Sequence, residues 1–465
     1  MPKKKTPSLA TWLLYLGLLW FDSFPGLEAA TGKLASIPGL YVFGDSLVDA
    51  GNNNYLPISI AKANYPRNGV DFPKKKATGR FSNGKNAADV IAEKFGLPLP
   101  PPYRSLKGAL KVKKRESAAL TGLNFASGGA GIFNSSDKKL GQSIPLSHQV
   151  DDWLSIHNEV TGKLRPAEAQ VHLSKSLFIV VIGSNDLFDY YGSFKTREKN
   201  NPQQYTQSMA DKLKEQLKRI HETGARKFLV VGVAQIGCIP GNRDTESDLH
   251  ECDEEANRSC SLYNEALVKM LQQLKQELQN SMSYSYFDNF KSLQDINFNP
   301  THFGFTEVTS ACCGSGKLNA ASHCQPISKF CPDRTKHLFW DRFGHPTEAA
   351  SRTFPLFSQT SRQLRSPQIL TPVVPLAVGI SFFPAPSATV LRFLFVFVTV
   401  IVTRLCTMDS LSAFTQKSFT EVTSACCGSG KLALVIVNQF EVLSRQNQTS
   451  LRDRRSSHEA ASRTL

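Results

Sequence analysis

The sequence predicts an α/β domain built on a mainly parallel sheet. Short apolar runs rich in Val, Ile and Phe recur between residues 39 and 287, and such near-continuous runs suit strands covered on both faces. Stretches with helical apolar spacing lie between them, and strands alternating with helices favour parallel sheets. Three of the runs are also followed at once by small or polar residues, which places those residues at the carboxyl ends of strands, where open α/β sheets build their sites.

Taken in order, the first element is a leader. Lys3 to Lys5 precede the apolar run "LATWLLYLGLLWF" (9–21), and Ala29-Ala30 offer a cleavage point. This reads as a secretory signal over residues 1–30, since the run is short for a membrane span. The strand candidates are "GLYVF" (39–43), "LFIVVI" (177–182), "KFLVVGV" (227–233) and "YSYF" (284–287), with "GLNFA" (122–126) as a fifth. Met209, Leu213, Leu217 and Ile220 mark one helix that Gly224 ends, and Tyr263, Leu267, Met270, Leu271, Leu274 and Leu278 mark another. The main domain is expected over 31–372. Beyond it, "FTEVTSACCGSGKL" (305–318) recurs letter for letter at 419–432, and "EAASRT" (348–353) recurs at 459–464. Two partial copies are too few for a solenoid, so residues 373–465 read as an appendage that duplicates part of the domain's end. The ten apolar residues at 393–402 within it are short for a span.

The net charge of +15 sits largely in runs such as Lys74-Lys75-Lys76 and "KVKKR" (111–115). These are expected to be solvated loops, and a secretory leader argues against a nucleic-acid partner. An oxidising compartment permits disulfides. Seven of the ten cysteines lie between 238 and 331, so at least one of them is free or pairs elsewhere, with the connectivity open. Sequons at Asn134, Asn257 and Asn447 fit secretion.

The chemistry-bearing residues fall behind the strands. Ser46 follows the first, the Gly-rich loop 127–131 follows the probable second, and Asn185 follows the third. A hydroxyl, backbone N–H groups freed by glycine, and a neutral amide form a set suited to acyl transfer. A helix after Ser46 would add its dipole. The missing base appears far downstream in "FWDRFGHPTEAAS" (339–351), where Asp341 and His345 precede a helix start at Pro346. The lipase elbow G-x-S-x-G is absent around Ser46.

"FGDSLVDAGNNN", "NFASGGAGI", "IGSND" and "LFWDRFGHPTEAASR" together resemble, in order, the four blocks of the plant GDSL esterases/lipases within the SGNH hydrolases. "GCIP" (237–240) and "NPTHFGFTEVTSACCGSG" (299–316) also resemble connecting segments of that family, and the resemblance spans residues 38–370. It implies a three-layer α/β/α sandwich with a flavodoxin-like sheet and a secreted, extracellular ester hydrolase. Residue by residue it implies Ser46 as nucleophile, His345 as base and Asp341 as its partner. It implies an oxyanion hole of the Ser46 N–H, the Gly129 N–H and the Asn185 amide, with Gly128 and Gly131 as rivals of Gly129. One departure stands out: three residues separate Asp341 from His345 where the family usually has two. Gly344 offers a turn that absorbs the extra residue; the other reading is a displaced Asp341.

Other residues carry less. Asp45 and Asp49 read as turn and helix-start residues rather than a glycosidase pair. His148, His172, His221 and His302 read as surface or satisfied core. Phe72, Phe81 and Phe133 read as core, with an acyl pocket as the sharper alternative. Asp453 and His458 in the second copy have no serine strand and read as inert. The expected substrate is a small-molecule or lipid ester, with transient contact to a lipid surface and no metal or organic cofactor. The alternatives are an extracellular acyltransferase and a catalytically impaired binding or defence protein on the same fold.

Overall fold

The computed structural model describes residues 37–136, 138–243 and 249–353. The leader, the apolar run at 393–402, the second repeat copy, Asn447, Asp453 and His458 lie outside the described residues.

Four strands form one parallel sheet in the order β1-β2-β3-β4: β1 (Leu40–Gly44), β2 (Leu177–Val181), β3 (Lys227–Val231) and β4 (Ser283–Phe287). The fifth run lies along the other edge of β1. Val42 N donates to Leu123 O at 3.0 Å and Phe125 N to Val42 O at 2.8 Å, but only the Val42–Asn124 bridge is strand-like. The backbone groups of Asn124 itself face the opposite edge, where its carbonyl accepts from Tyr103 N and its N–H donates to Pro101 O in a second bridge, to Pro102. Counted as second, this segment gives the order 2-1-3-4-5 of the flavodoxin-like sheet. Beyond it, β5 (Glu307–Ala311) pairs parallel with β8 (His337–Phe339), and β6 (Cys313–Gly314) pairs antiparallel with β7 (Lys329–Phe330).

The helices are α1 (Ala87–Lys94), α2 (Val112–Thr121), α3 (Leu146–Lys163), α4 (Pro166–Lys175), α5 (Ser184–Gly192), α6 (Phe194–Lys199), α7 (Pro202–Glu222), α8 (Glu254–Glu277), α9 (Asn289–Phe298) and α10 (Glu348–Thr353). They explain why β1, β2 and β3 lack polar alternation. Tyr41, Phe43, Phe178 and Val180 pack on one core with side chains of α3, α7 and α8. Leu40, Val42, Ile179 and Val181 pack on the other with α1. Both faces are therefore dry, which is the three-layer sandwich. In α7 the predicted stripe of Met209, Leu213, Leu217 and Ile220 is buried, each side chain contributing roughly 1.5–3 kcal/mol. Gly224, at φ +97°, follows its end.

Among the described residues, three disulfides join Cys238–Cys252, Cys312–Cys331 and Cys313–Cys324, and Cys260 is free and buried. The lysine runs face water, with Lys74, Lys75, Lys113 and Lys114 exposed. One expectation is corrected. The sequon asparagine Asn257 is buried in α8, where its side chain accepts from Gly237 N at 2.9 Å. A glycan cannot be carried there in the folded chain. Asn134 is exposed.

Candidate active site

Ser46 is placed by the end of β1. A Cβ on Gly44 would stand 2.3 Å from Val181 O, so only glycine allows this approach to β2. The Gln149 side chain completes the strand end, accepting from Gly44 N at 2.9 Å and donating to Gly44 O at 2.8 Å. Asp45 N then donates to Val181 O, and the chain turns with Ser46 half-buried. The helix expected directly after Ser46 does not form; a turn and then a 3-10 turn at Asn52–Tyr55 replace it. The reason is local. Asp45 Oδ1 takes Leu47 N as a helix cap would, but Asp49 Oδ1 takes both Gly51 N and Asn52 N, the donors a second turn would use, and Gly51 turns through φ +118°.

The same residues hold the glycine loop. Asp49 Oδ2 accepts from Gly128 N at 3.1 Å, and Asn53 Nδ2 donates to Gly128 O at 2.8 Å. Ser127 donates to Asn53 Oδ1, and Asn52 reaches Ala126 O. This separates Gly129 from Gly128: the Gly128 N–H is committed to Asp49, while Gly129, at φ +79°, donates to no described group. The Ser46 N–H is likewise without a described acceptor.

Asn185, in the first turn of α5, donates through Nδ2 to Ala130 O at 2.8 Å, beside Gly129. That bond uses one of the two amide protons. The next residue fixes the rest of the loop: Asp186 accepts from Ile132 N, Phe133 N and Ser136 Oγ at 2.6–3.0 Å.

Asp341 and His345 are brought together and buried. His345 Nδ1 is 2.9 Å from Asp341 Oδ1 and 2.7 Å from Oδ2. The extra residue is taken up by a turn in which Gly344 N donates to Asp341 O, Phe343 N donates to Asp341 Oδ1, and Gly344 adopts φ +75°. Nε2 of His345 has no hydrogen-bond partner among the described residues, and no hydrogen bond joins it to Ser46. The histidine loop is tied to the serine side through residues 81–85. Ser82 donates to Pro346 O, Glu348 N donates to Asn83 Oδ1, and the Phe81 ring lies 5.0 Å from the His345 ring. Phe81 in turn abuts Gly128, where an added Cβ would stand 2.6 Å from its ring.

Charge is crowded here. Burial pushes the Asp45 carboxyl up to about 7, with His345 pulling it down and Asp186 pushing it up; its Oδ2 is buried without a partner. Burial also pushes Asp49 and Asp186 up to about 6 against the N–H groups that bond them. Of the three phenylalanines, only Phe81 meets the site. Phe72 stacks under Arg80, and Phe133 packs on Tyr205. His148 and His302 are exposed, His172 meets Tyr41 Oη, and His221 meets Ser281. The sequence alone assigns no role to Gln149, Asp186 or the Asn52-Asn53 pair: Asp186 and both asparagines stand within the family-like blocks, while Gln149 has no local signal.

A family model described as GDSL-like Lipase/Acylhydrolase matches residues 40–354. The chain belongs to the GDSL lipase/acylhydrolase family. It is 74% identical over 375 residues to GDSL esterase/lipase At5g55050 of Arabidopsis thaliana, covering 80% of this chain and 100% of that relative. GDSL esterase/lipase At4g16230 of the same plant is 38% identical over 346 residues, covering 73% of this chain and 89% of the relative. Among solved structures, an alpha/beta hydrolase enzyme from the metagenome of Lake Arreo, Spain, aligns at 12% identity and a TM-score of 0.33 over 72% of this chain and all of its own, too loosely to argue from. As a GDSL esterase/lipase, the chain is a hydrolase of ester bonds.

Proposed function

We propose that this GDSL hydrolase is a secreted serine carboxylester hydrolase acting on acyl or lipid esters. Ser46 Oγ attacks the acyl carbonyl as His345 Nε2 takes its proton. The carbonyl oxygen becomes an oxyanion held by the Ser46 N–H, the Gly129 N–H and the second Asn185 N–H. Collapse breaks the ester bond, and His345 returns the proton to the departing alcohol. Water, deprotonated by His345, then attacks the acyl-Ser46 ester; the acid leaves and Ser46 regains its proton. Asp341 holds the imidazole tautomer and stabilises the imidazolium.

The observation that carries this reading is the buried Asp341–His345 pair, with Nδ1 engaged and Nε2 without a hydrogen-bond partner among the described residues. Catalytic contacts such as that from Nε2 to the serine commonly tighten only when substrate is bound. An apolar cavity beneath the site supports an acyl substrate. Leu47, beside Ser46, and Gly344 and Pro346, on either side of His345, line it together with Ile179, Val231 and Phe287 of the sheet. A fluorophosphonate probe tests the assignment. Labelling is expected in the native protein and absent in Ser46→Ala; no labelling of folded native protein overturns it.

Residues 373–465 are proposed to be an appendage without a catalytic role. The relative that is 74% identical is matched over its whole length by 80% of this chain. Truncation after residue 372 is expected to leave ester hydrolysis in place; a soluble, inactive truncation overturns this.

A further inference from the structure

The loop behind the 3-10 turn at Asn52–Tyr55 reverses the usual sorting of side chains. Ile58 and Ile60 are 72% and 69% exposed, and Tyr55 is half-exposed, while Ser59 between the isoleucines is buried at 6%. Scattered exposed apolar residues are ordinary, but a polar residue turned in between two large aliphatics turned out is not.

The loop is held in this pose. Ile60 N donates to Leu140 O at 3.0 Å, Gln142 N donates to Ile58 O, and Ser59 bridges antiparallel to Gly141. Ser59 Oγ receives the Asn53 amide, the same amide that bonds Gly128 O, so the loop is one side chain away from the glycine loop. Leu140, on the partner segment, approaches Gly129, whose added Cβ would meet it at 3.4 Å. The apolar pair therefore stands beside the site. The partner segment also carries the exposed Lys138 and Lys139, which form no ion pair with a described acid.

We propose that Tyr55, Ile58 and Ile60, flanked by Lys138 and Lys139, dock on an anionic lipid surface and so present the site to esters held there. Apolar side chains inserting at the headgroup boundary and lysines meeting anionic headgroups are the two terms of interfacial binding. This docking rests on the ester-hydrolase reading only for its purpose; the binding itself needs no turnover. The Ser59 hydroxyl, turned inward, bonds with Asn53 and Ala61 O and leaves Pro57, Ile58 and Ile60 on the loop's outer face.

The test is co-sedimentation with phosphatidylcholine vesicles containing or lacking phosphatidylglycerol. The native protein and Ser46→Ala are both expected to bind the anionic vesicles. The double variant Ile58→Ser/Ile60→Ser is expected to bind about tenfold more weakly, and Lys138→Gln/Lys139→Gln to lose the preference for anionic vesicles. An unchanged thermal midpoint identifies these as surface effects. Failure of the native protein to bind, equal binding to both vesicle types, or an isoleucine variant that binds like native overturns the docking. Loss of probe labelling at Ser46, by contrast, overturns the hydrolase reading and leaves the docking standing.

Discussion

Asp341 Oδ2 stands 2.7 Å from His345 Nδ1 although three residues separate them in the chain. The contact depends on Gly344, because the extra residue is absorbed where the backbone turns through φ +75°. An alanine there would be strained in φ, and its Cβ would stand 2.4 Å from Ile239 Cγ2. Gly344→Ala is expected to lose roughly 1–3 kcal/mol of stability and at least about tenfold in kcat on a nitrophenyl ester. Thermal denaturation and steady-state kinetics read the two effects. A variant with native kcat would show that the turn does not hold the pair in register.

Asn185 spends one N–H on Ala130 O and keeps the other. If the free N–H meets the oxyanion, Asn185→Ala loses about 10²–10³ in kcat with a much smaller change in KM. A fall in kcat of less than about threefold, measured with the same ester, would remove Asn185 from the oxyanion hole.

The strand that leads to Asp341 is pinned from below by adjacent cysteines. Cys312 N donates to Phe339 O at 2.9 Å and Cys313 N to Trp340 O at 2.7 Å, and each cysteine is cross-linked, to Cys331 and Cys324. Opening either bridge is expected to cost about 3 kcal/mol through the loop it closes. Cys313→Ser/Cys324→Ser should therefore unfold at lower temperature and also lose kcat, since the Asp341 segment loses its support. A lower midpoint with native kcat would mean that the bridges stabilise the lobe without positioning the pair.

Asp45 makes stability depend on pH in a defined direction. Its native value, about 7, lies above its ordinary 3.8, so between those values the folded chain keeps a proton that the unfolded chain has released. The stabilisation is complete below about pH 4 and is lost as pH rises through about 7. Asp49 and Asp186 act in the same direction with values near 6. The thermal midpoint is expected to fall from about pH 5 to pH 8, and Asp45→Asn to remove on the order of 2 kcal/mol of that fall. A variant with the native slope would show that Asp45 is ionised throughout.

Strands β1 to β3 and the two long helices were legible because each signal is local. A strand dry on both faces is a continuous apolar run, and a helix with one buried face repeats its apolar residues at helical spacing. The segment at 122–126 is half legible: its apolar content marks a place beside β1, but its single bridge to Val42 and its second bridge, to Pro102, join residues distant in sequence. The absent helix after Ser46 follows from Asp49, whose carboxylate takes the Gly51 and Asn52 N–H groups that a second turn would use. Asn257 shows the reverse case, where a valid sequon lies on a buried helical face.

By itself the sequence determined the family, the α/β architecture and the residue types offered for acyl transfer, because motif order and apolar period need no knowledge of contacts. Only the tertiary structure decided that Asp341 reaches His345 across the longer spacing, that the Gly128 N–H is spent on Asp49 while that of Gly129 is not, and that Ile58 and Ile60 face outward around an inward Ser59. Each depends on hydrogen bonds and close approaches between segments far apart in the chain, and no local pattern encodes which backbone groups those partners will occupy.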